Sequence, residues 1–282
     1  MSAFLRQKIL CSGVGFVLFR GKKGRDFLLP DLSPLAWTVF RRHLVVFGRS
    51  WKVNLSFNFF EPLLYLVAMG VGLGYYVLPM EGLPYLNYLA PGLVASSAMF
   101  ATAYECTYGT FVRMEFQKTF QAMVATPVSI DDVIAGELLY GTFKSVVYGS
   151  VIIVVITLLG LVESPLVFLV PPVMALGGLL FGSLSLIWTG LVPHIDSFNY
   201  FFSLFITPLF LFSGVFFPVS GLPSFMKTVA WFSPLYHLVN LTRGLVLGEA
   251  GPQLAGDFLW LLVVSALLLP FPFALVRRLV IR

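Results

Sequence analysis

Asp131 and Asp132 stand side by side just after Ser129, and Glu61, Glu105, Glu137 and Lys144 sit within or beside long apolar stretches. Such groups could serve an acid–base enzyme, a metal centre or an ion relay. The first needs carboxylates and histidines gathered at one place, but His43, His194 and His237 are far apart and form no HExxH-like pair. The second needs ligands at short fixed spacing; Cys11 and Cys106 lack it and read as small buried hydrophobes. A relay through Glu61, Glu105, Glu137 and Lys144 would suit an ion-coupled secondary transporter, which typically carries repeated halves, and no repeat is visible. Phosphate-binding chemistry is also missing: there is no GxxxxGK[ST] loop. "GVGLG" (70–74) lies inside an apolar run with no strand before it, so its glycines, like Gly178 and Gly182, read as close helix packing.

The elements that must position these residues follow from composition. Of 282 residues, 58% are hydrophobic and 11% charged, with a mean hydropathy of +0.91. Soluble domains carry about 25% charged residues, so this chain could not cover a globule with polar side chains. Repeated apolar runs of roughly 20 residues predict transmembrane helices. The net charge of +5 comes from cations at the ends and in loops, not from a basic stripe, which argues against a nucleic-acid partner.

The expected fold is an all-α polytopic membrane protein with six spans, near residues 53–76, 88–111, 133–161, 165–191, 198–217 and 254–276. Residues 1–32 form an N-terminal cytoplasmic or interfacial extension, and 33–282 the transmembrane domain. Arg6 and Lys8 precede an apolar run over 9–19 that looks like a signal peptide, but no small-residue cleavage site follows and the run is too short to span. "SPLAWTVFRRHLVVFGRSWK" (33–52) reads as a cationic amphipathic helix in the headgroup plane, with Ser33 before Pro34 as its start. Residues 218–252 are apolar but broken by Pro218, Pro223 and Pro234, which predicts re-entrant helices before the last span; two further spans are the competing count. Ten lysines and arginines precede the first span, Arg113 and Lys118 follow the second, and Arg277, Arg278 and Arg282 follow the last. Fifteen of 18 therefore lie on one side, which makes both termini cytoplasmic.

That orientation puts "QKTFQAMVATPVSIDD" (117–132) in the cytosol. Two readings compete. Ser129 or Asp131 can cap the third span, with both aspartates favoured by the helix dipole. Phe120, Met123 and Val124, at helical spacing ahead of Pro127, can instead dock into a partner's groove. Aromatic residues also align: Phe100, Tyr104, Tyr108 and Phe111 share one face of the second span, and Tyr200, Phe201, Phe202, Phe205, Phe210 and Phe212 crowd the fifth. Such faces suit sugar rings and acyl chains, or simple packing. Glu105 lies roughly 12 Å and Lys144 roughly 18 Å inside their helices at a 1.5 Å rise. Lys144 leans toward its helix N-terminus, so the two are expected to pair, with a snorkelling lysine and a protonated glutamate as the alternative.

"YLAPGLVASSAMFATAYECTYGTFVRMEFQKTFQAMVATPVSIDDVIAGELLYG" (88–141) resembles the second and third spans of type-2 ABC exporter permeases, most closely the NodJ type that exports nodulation lipooligosaccharides. The resemblance runs from about Pro34 to the C-terminus and includes "SPLYHLVNLTRGLVLG" (233–248); the stretch before about Leu28 has no counterpart. It implies six spans, an amphipathic N-terminal helix, re-entrant helices, and a cytoplasmic loop that docks on a separate ABC ATPase subunit. Carried over, Phe120, Met123, Val124, Thr126, Pro127, Val128, Ser129, Ile130, Asp131 and Asp132 would be the coupling element. The resemblance further implies a homodimer in membrane lipid whose first and fifth spans line a path. Phe57, Phe60, Tyr65, Phe100, Tyr104, Tyr108, Tyr200, Phe201 and Phe205 would then face an amphipathic substrate, such as a lipid-linked or modified oligosaccharide, crossing a bacterial inner membrane. No catalytic residue or cofactor is expected on this chain, ATP and Mg belonging to the partner. A membrane-embedded transferase, an ion-coupled transporter and a drug or lipid exporter are the rivals.

Overall fold

A computed structural model of the chain describes residues 30–249 and 251–280. Nearly all of the extension read over residues 1–32, with Cys11, lies outside the described residues, as do the side chains of 53–59 and 61, Phe57 and Glu61 among them.

The described chain is helical, and its only β feature is an isolated bridge between Met80 and Leu83. Helix α1 (Leu35–Tyr65) continues without a break through a π turn (Leu66–Gly72) and a 3-10 turn (Leu73–Tyr75). This corrects the division into an interfacial helix and a separate first span. No proline stands between Pro34 and Pro62, so nothing stops the backbone ladder, and the helix loosens only just beyond Pro62.

Helix α2 (Tyr85–Tyr104) extends through two further π turns, Glu105–Gly109 and Val112–Phe116. Leu89, Ala90, Val94, Ala95, Ala98 and Met99 are fully enclosed, so α2 is the innermost helix. Being small and apolar all round, it can only be covered on every side. After α3 (Thr119–Val124) come α4 (Ile130–Leu158) and α5 (Val170–Leu191), the latter entered by a 3-10 turn, Pro165–Leu169. Short α6 (Phe198–Phe201), a π turn (Phe202–Ile206) and α7 (Thr207–Phe212) form the next rod. Then follow α8 (Ser224–Trp231), α9 (Pro234–Leu247), α10 (Pro252–Leu268) and α11 (Pro270–Val280).

Among the described residues four helical rods are long and apolar enough to cross a membrane: Ile130–Leu158, Pro165–Leu191, Ile195–Phe212 and Pro252–Val280. Helices α8 and α9, with 8 and 14 residues, reach only about 12 and 21 Å at a 1.5 Å rise, short of a hydrocarbon core of about 30 Å. Close packing of α5 on α4 depends on the small-residue stripe: a Cβ on Gly178 would lie 2.8 Å from that of Ser145, and one on Gly182 2.8 Å from Leu138 Cδ1.

The bundle has two distinct ends. At the first, the chain before α1, the start of α4 and the end of α11 meet through Asp131 and Asp132. At the second, Asn87 at the start of α2 donates to Glu163 (3.2 Å), whose amide donates to Val246 in α9 (3.0 Å).

A clamped docking face and a buried charge network

Helix α4 begins with a reciprocal cap. Ser129 Oγ accepts from the Asp132 amide (3.0 Å) while Asp132 accepts from the Ser129 amide (3.2 Å), each satisfying a backbone donor with no intrahelical partner. The cap is therefore Ser129, supported by Asp132 and not by Asp131. Asp132 also accepts from the amide and hydroxyl of Ser33, both at 2.8 Å. Ser33 still accepts from the Leu35 amide (3.2 Å), so one serine starts α1 and ties it to α4. Asp131 accepts from the Asp31 amide (2.9 Å) and holds the Arg277 guanidinium through two bonds, one of them from Nε at 3.0 Å.

Asp131 and Asp132 are 4% and 1% exposed. This corrects their reading as docking charges: both are consumed inside the protein, clamping three chain segments together. Phe120 is likewise buried, in a cluster with Phe111, Met114 and Ile134, while Met123, Val124, Val128, Ser129 and Ile130 are half-buried. Met123 Sδ lies 3.8 Å from Arg42 Nη1 of α1. The turn after α3 is closed by Thr126 Oγ1 donating to Met123 O (2.6 Å). What remains outside is a narrow face of Phe116, Gln117, Lys118, Gln121, Ala122, Ala125, Thr126 and Pro127. Phe116, 65% exposed, stands out on it. The sequence pattern picks Phe120 because it repeats with Met123 and Val124, but that apolar face is the one that folds inward.

Behind this face lies a network of buried charge. Glu105 and Lys144 are in contact, though not as an isolated pair. Arg113 Nη1 also lies 2.6 Å from Glu105 as an ion pair, and its Nε and Nη2 grip Glu137 at 3.1 and 2.5 Å. Thr110 donates to Glu137 (3.0 Å), His43 Nε2 sits 3.2 Å from the same carboxylate, and the His43 ring stacks on Tyr140 at 4.8 Å. Two carboxylates thus face two fixed cations, the balance that makes buried charge tolerable. Arg113, read from the sequence as a loop cation, is turned inward. Gly109 leaves it room: a Cβ there would fall 2.6 Å from Glu105 Oε1 and 3.3 Å from Arg113 Nη1. The π turns on either side change which residues share a face. Uniform 3.6-residue spacing does not show this.

The aromatic residues split into two groups. Tyr104 stacks on Phe202 at 4.3 Å, with Phe100 and Tyr108 above and below it along α2. Tyr108 donates to Asn199 (3.1 Å) and packs edge-on to Phe198 (5.1 Å). Tyr65 and Phe100 meet Phe210 at 5.6 and 5.2 Å, and these rings with Pro62, Ser96 and Ser97 line a narrow groove. Four of the expected path residues, Tyr65, Phe100, Tyr104 and Tyr108, are therefore contiguous. Phe60 and Tyr200 point outward, and Phe201 and Phe205 stack on each other at 5.5 Å, with Phe201 against Trp188. Phe198, Phe202 and Phe210, absent from the expected set, are the rings that complete the track.

Among the described residues no three histidine, cysteine or acidic side chains are grouped as metal ligands. A multi-pass helical bundle whose buried charges are spent on clamping its helices together has the build of a membrane permease. Residues 34–247 match the ABC-2 type transporter family, and the chain belongs to it. It is 38% identical over 216 residues to nodulation protein J of Rhizobium leguminosarum bv. trifolii, covering 76% of this chain and 82% of the relative. Nodulation protein J of Bradyrhizobium diazoefficiens is 35% identical over 249 residues, 87% of this chain and 94% of that protein. The inner membrane transport permease YadH of Escherichia coli is 23% identical over 208 residues, 72% and 79% of the two chains. The chain is an ABC transporter permease of the export type, and family members are transmembrane subunits, not catalytic ones.

Proposed function

We propose that this chain is the permease of an ATP-driven exporter that moves an amphipathic substrate, a lipid-linked or modified oligosaccharide, across a bacterial inner membrane. It would act as a homodimer with two copies of a separate ABC ATPase, which carries the ATP and Mg. The observation that carries the reading is the match over residues 34–247 together with relatives named nodulation protein J. The clamped end of the bundle is then cytoplasmic, with both termini, and the Phe116–Pro127 face is where the ATPase engages. Helices α8 and α9 would re-enter the opposite leaflet, making six spans in all, and the aromatic track from Tyr65 to Tyr108 would guide apolar or ring-shaped parts of the substrate.

Export from reconstituted vesicles tests this. Transport that requires the ATPase and ATP is the expected result, whereas transport driven by an ion gradient alone would replace the exporter with a secondary carrier. A reporter fused at Gly251 should read the extracytoplasmic side; a cytoplasmic signal there would break the six-span topology.

A further inference from the structure

The end of the bundle opposite the clamp holds a polar cavity of 330 Å³, within the range of roughly 300–1,000 Å³ of small-molecule sites. Arg243 of α9 forms its floor. The guanidinium lies 3.8 Å from the Tyr88 ring centre, and its Nη2 donates to the carbonyls of Gly214 (2.8 Å) and Tyr88 (3.3 Å). Gly214 O also accepts from the Tyr88 hydroxyl (3.1 Å). That carbonyl is aimed by a left-handed backbone, φ +80°, which favours glycine. The arginine is thus fixed in direction, yet its Nε is buried without a partner. Arg243 nevertheless lines the cavity with Asn240, Lys227 and Glu81, so donors and an acceptor face one space.

The walls define what kind of acceptor. Trp231 and Tyr236 supply flat aromatic surface, and Asn240 supplies an amide with both donor and acceptor. Across the mouth, Glu81 sits at the tip of a two-residue turn closed by the Met80–Leu83 bridge. Its φ of +53° and that of Gly82, +82°, are those of a type I′ hairpin turn. Ser220 Oγ donates to Glu81 (3.4 Å), and Lys227 lies on the same rim. A simple anion could meet Arg243 and Lys227 but would offer no donor to the Glu81 carboxylate, which can only accept. An apolar tail would strand the arginine and the amide. A sugar ring satisfies all of them, since its hydroxyls donate to Glu81 and accept from Arg243 and Asn240 while its C–H faces lie on the aromatic rings.

We infer that this cavity is a saccharide subsite on the extracytoplasmic side, occupied by a sugar unit of the substrate. The assignment rests on the exporter reading for its side of the membrane and its purpose, but not for its ligand chemistry. Saturation-transfer NMR on the permease in lipid nanodiscs tests it, with cellotetraose, N-acetylglucosamine tetramer and tetragalacturonate as probes and inorganic phosphate as the anion control. Saturable transfer to ring C–H protons is expected for at least one tetrasaccharide. Binding should weaken at least fivefold in Asn240→Ala and in Tyr236→Leu. Lys227→Ala, on the exposed rim, should leave the fold intact and weaken tetragalacturonate more than cellotetraose. Lack of saturable transfer from every tetrasaccharide, unchanged affinity in Asn240→Ala, or binding of phosphate alone would each overturn the assignment. ATP-driven export of a glycan with an unresponsive cavity would remove the subsite and leave the exporter reading intact. Saccharide binding without any ATP-driven export would do the reverse.

Discussion

At the clamped end of the bundle, Asp131, Asp132, Glu105 and Glu137 each meet donors from at least two other chain segments or helix turns. At the opposite end the polar groups are unevenly satisfied. His237 is locked, with Nδ1 2.6 Å from Asp257 and Nε2 2.7 Å from the Trp231 carbonyl, whereas Arg243 Nε is buried and unpartnered; at the clamped end His43 Nε2 and Glu105 Oε1 also lack a hydrogen bond, but each lies at ion-pair distance, from Glu137 and Arg113. Both ends use carboxylates and cations, yet one commits its charges to holding helices and the other sets Glu81, Lys227 and Arg243 around a cavity. The difference suits the exporter proposed above, in which the first end would move as a unit and the second would hold a sugar unit of the substrate.

Glu137 is where the clamped end should fail most severely. Replacing it with alanine leaves Arg113 and His43 buried beside a single remaining carboxylate, and loss of one partner from a buried pair costs about 3–5 kcal/mol. Fluorescence-detected gel filtration should show collapse of the folded peak, and a normal peak would mean that the network is solvated. The reciprocal swap of Glu105→Lys with Lys144→Glu sharpens the point. Each single change should impair assembly, and the double change should recover only partly, because a lysine at 105 confronts Arg113 at ion-pair distance. Full recovery would show that the two residues act as an isolated pair.

A smaller effect is expected for Asp131→Asn. The amide oxygen can still accept from Asp31, but the charge that holds Arg277 is gone. Hydrogen bonds to charged groups contribute about 1.5–3 kcal/mol, so a lowered Tm without loss of folding is the expected readout. An unchanged Tm would count against the clamp.

Much of this molecule is legible in its sequence, for reasons that also mark where legibility ends. Apolar runs locate the long helices to within a few residues, as at Pro165–Leu191, because lipid demands length and apolarity together. The Ser129 start of α4 follows from local hydrogen-bond chemistry. Inward or outward direction does not. Asp131 and Asp132 look like surface charges because their partners, Ser33 and Arg277, lie 99 and 146 residues away. Arg113 resembles a loop cation because its π turns leave no residue-type signature. The aromatic track is half visible: a helix apolar on all sides has no polar stripe to mark which rings converge, so Phe198 and Phe202 look no different in sequence from Phe201 and Phe205.

Phe116→Ala probes the outer surface of the clamped end. The side chain is 65% exposed, and surface substitutions usually change stability by less than about 0.5 kcal/mol. Tm should therefore hold, while substrate-stimulated ATP hydrolysis and export fall together. If both stay normal, the ATPase engages elsewhere, and the Phe116–Pro127 face is only the outside of a clamp.

The smallest effect is expected for Lys118→Gly, at the left-handed residue that precedes α3. It holds φ +52°, a left-handed conformation, between the last π turn of α2 and the start of α3. A side chain there costs roughly 1–2 kcal/mol relative to glycine, partly offset by the exposed Lys118–Glu115 pair at 3.0 Å, which is worth roughly 0.2–1 kcal/mol. Lys118→Gly removes both the strain and the pair, and adds chain entropy to the unfolded state. These terms nearly cancel, so Tm should shift by no more than about a degree or two while the face keeps its geometry and coupling. Lys118→Val keeps the strain and adds a β-branch, which should lower coupling sharply by turning α3 away from α4. Equal behaviour of the glycine and valine variants would show that the orientation of α3 does not matter to the partner, and that Phe116 acts through its own side chain alone.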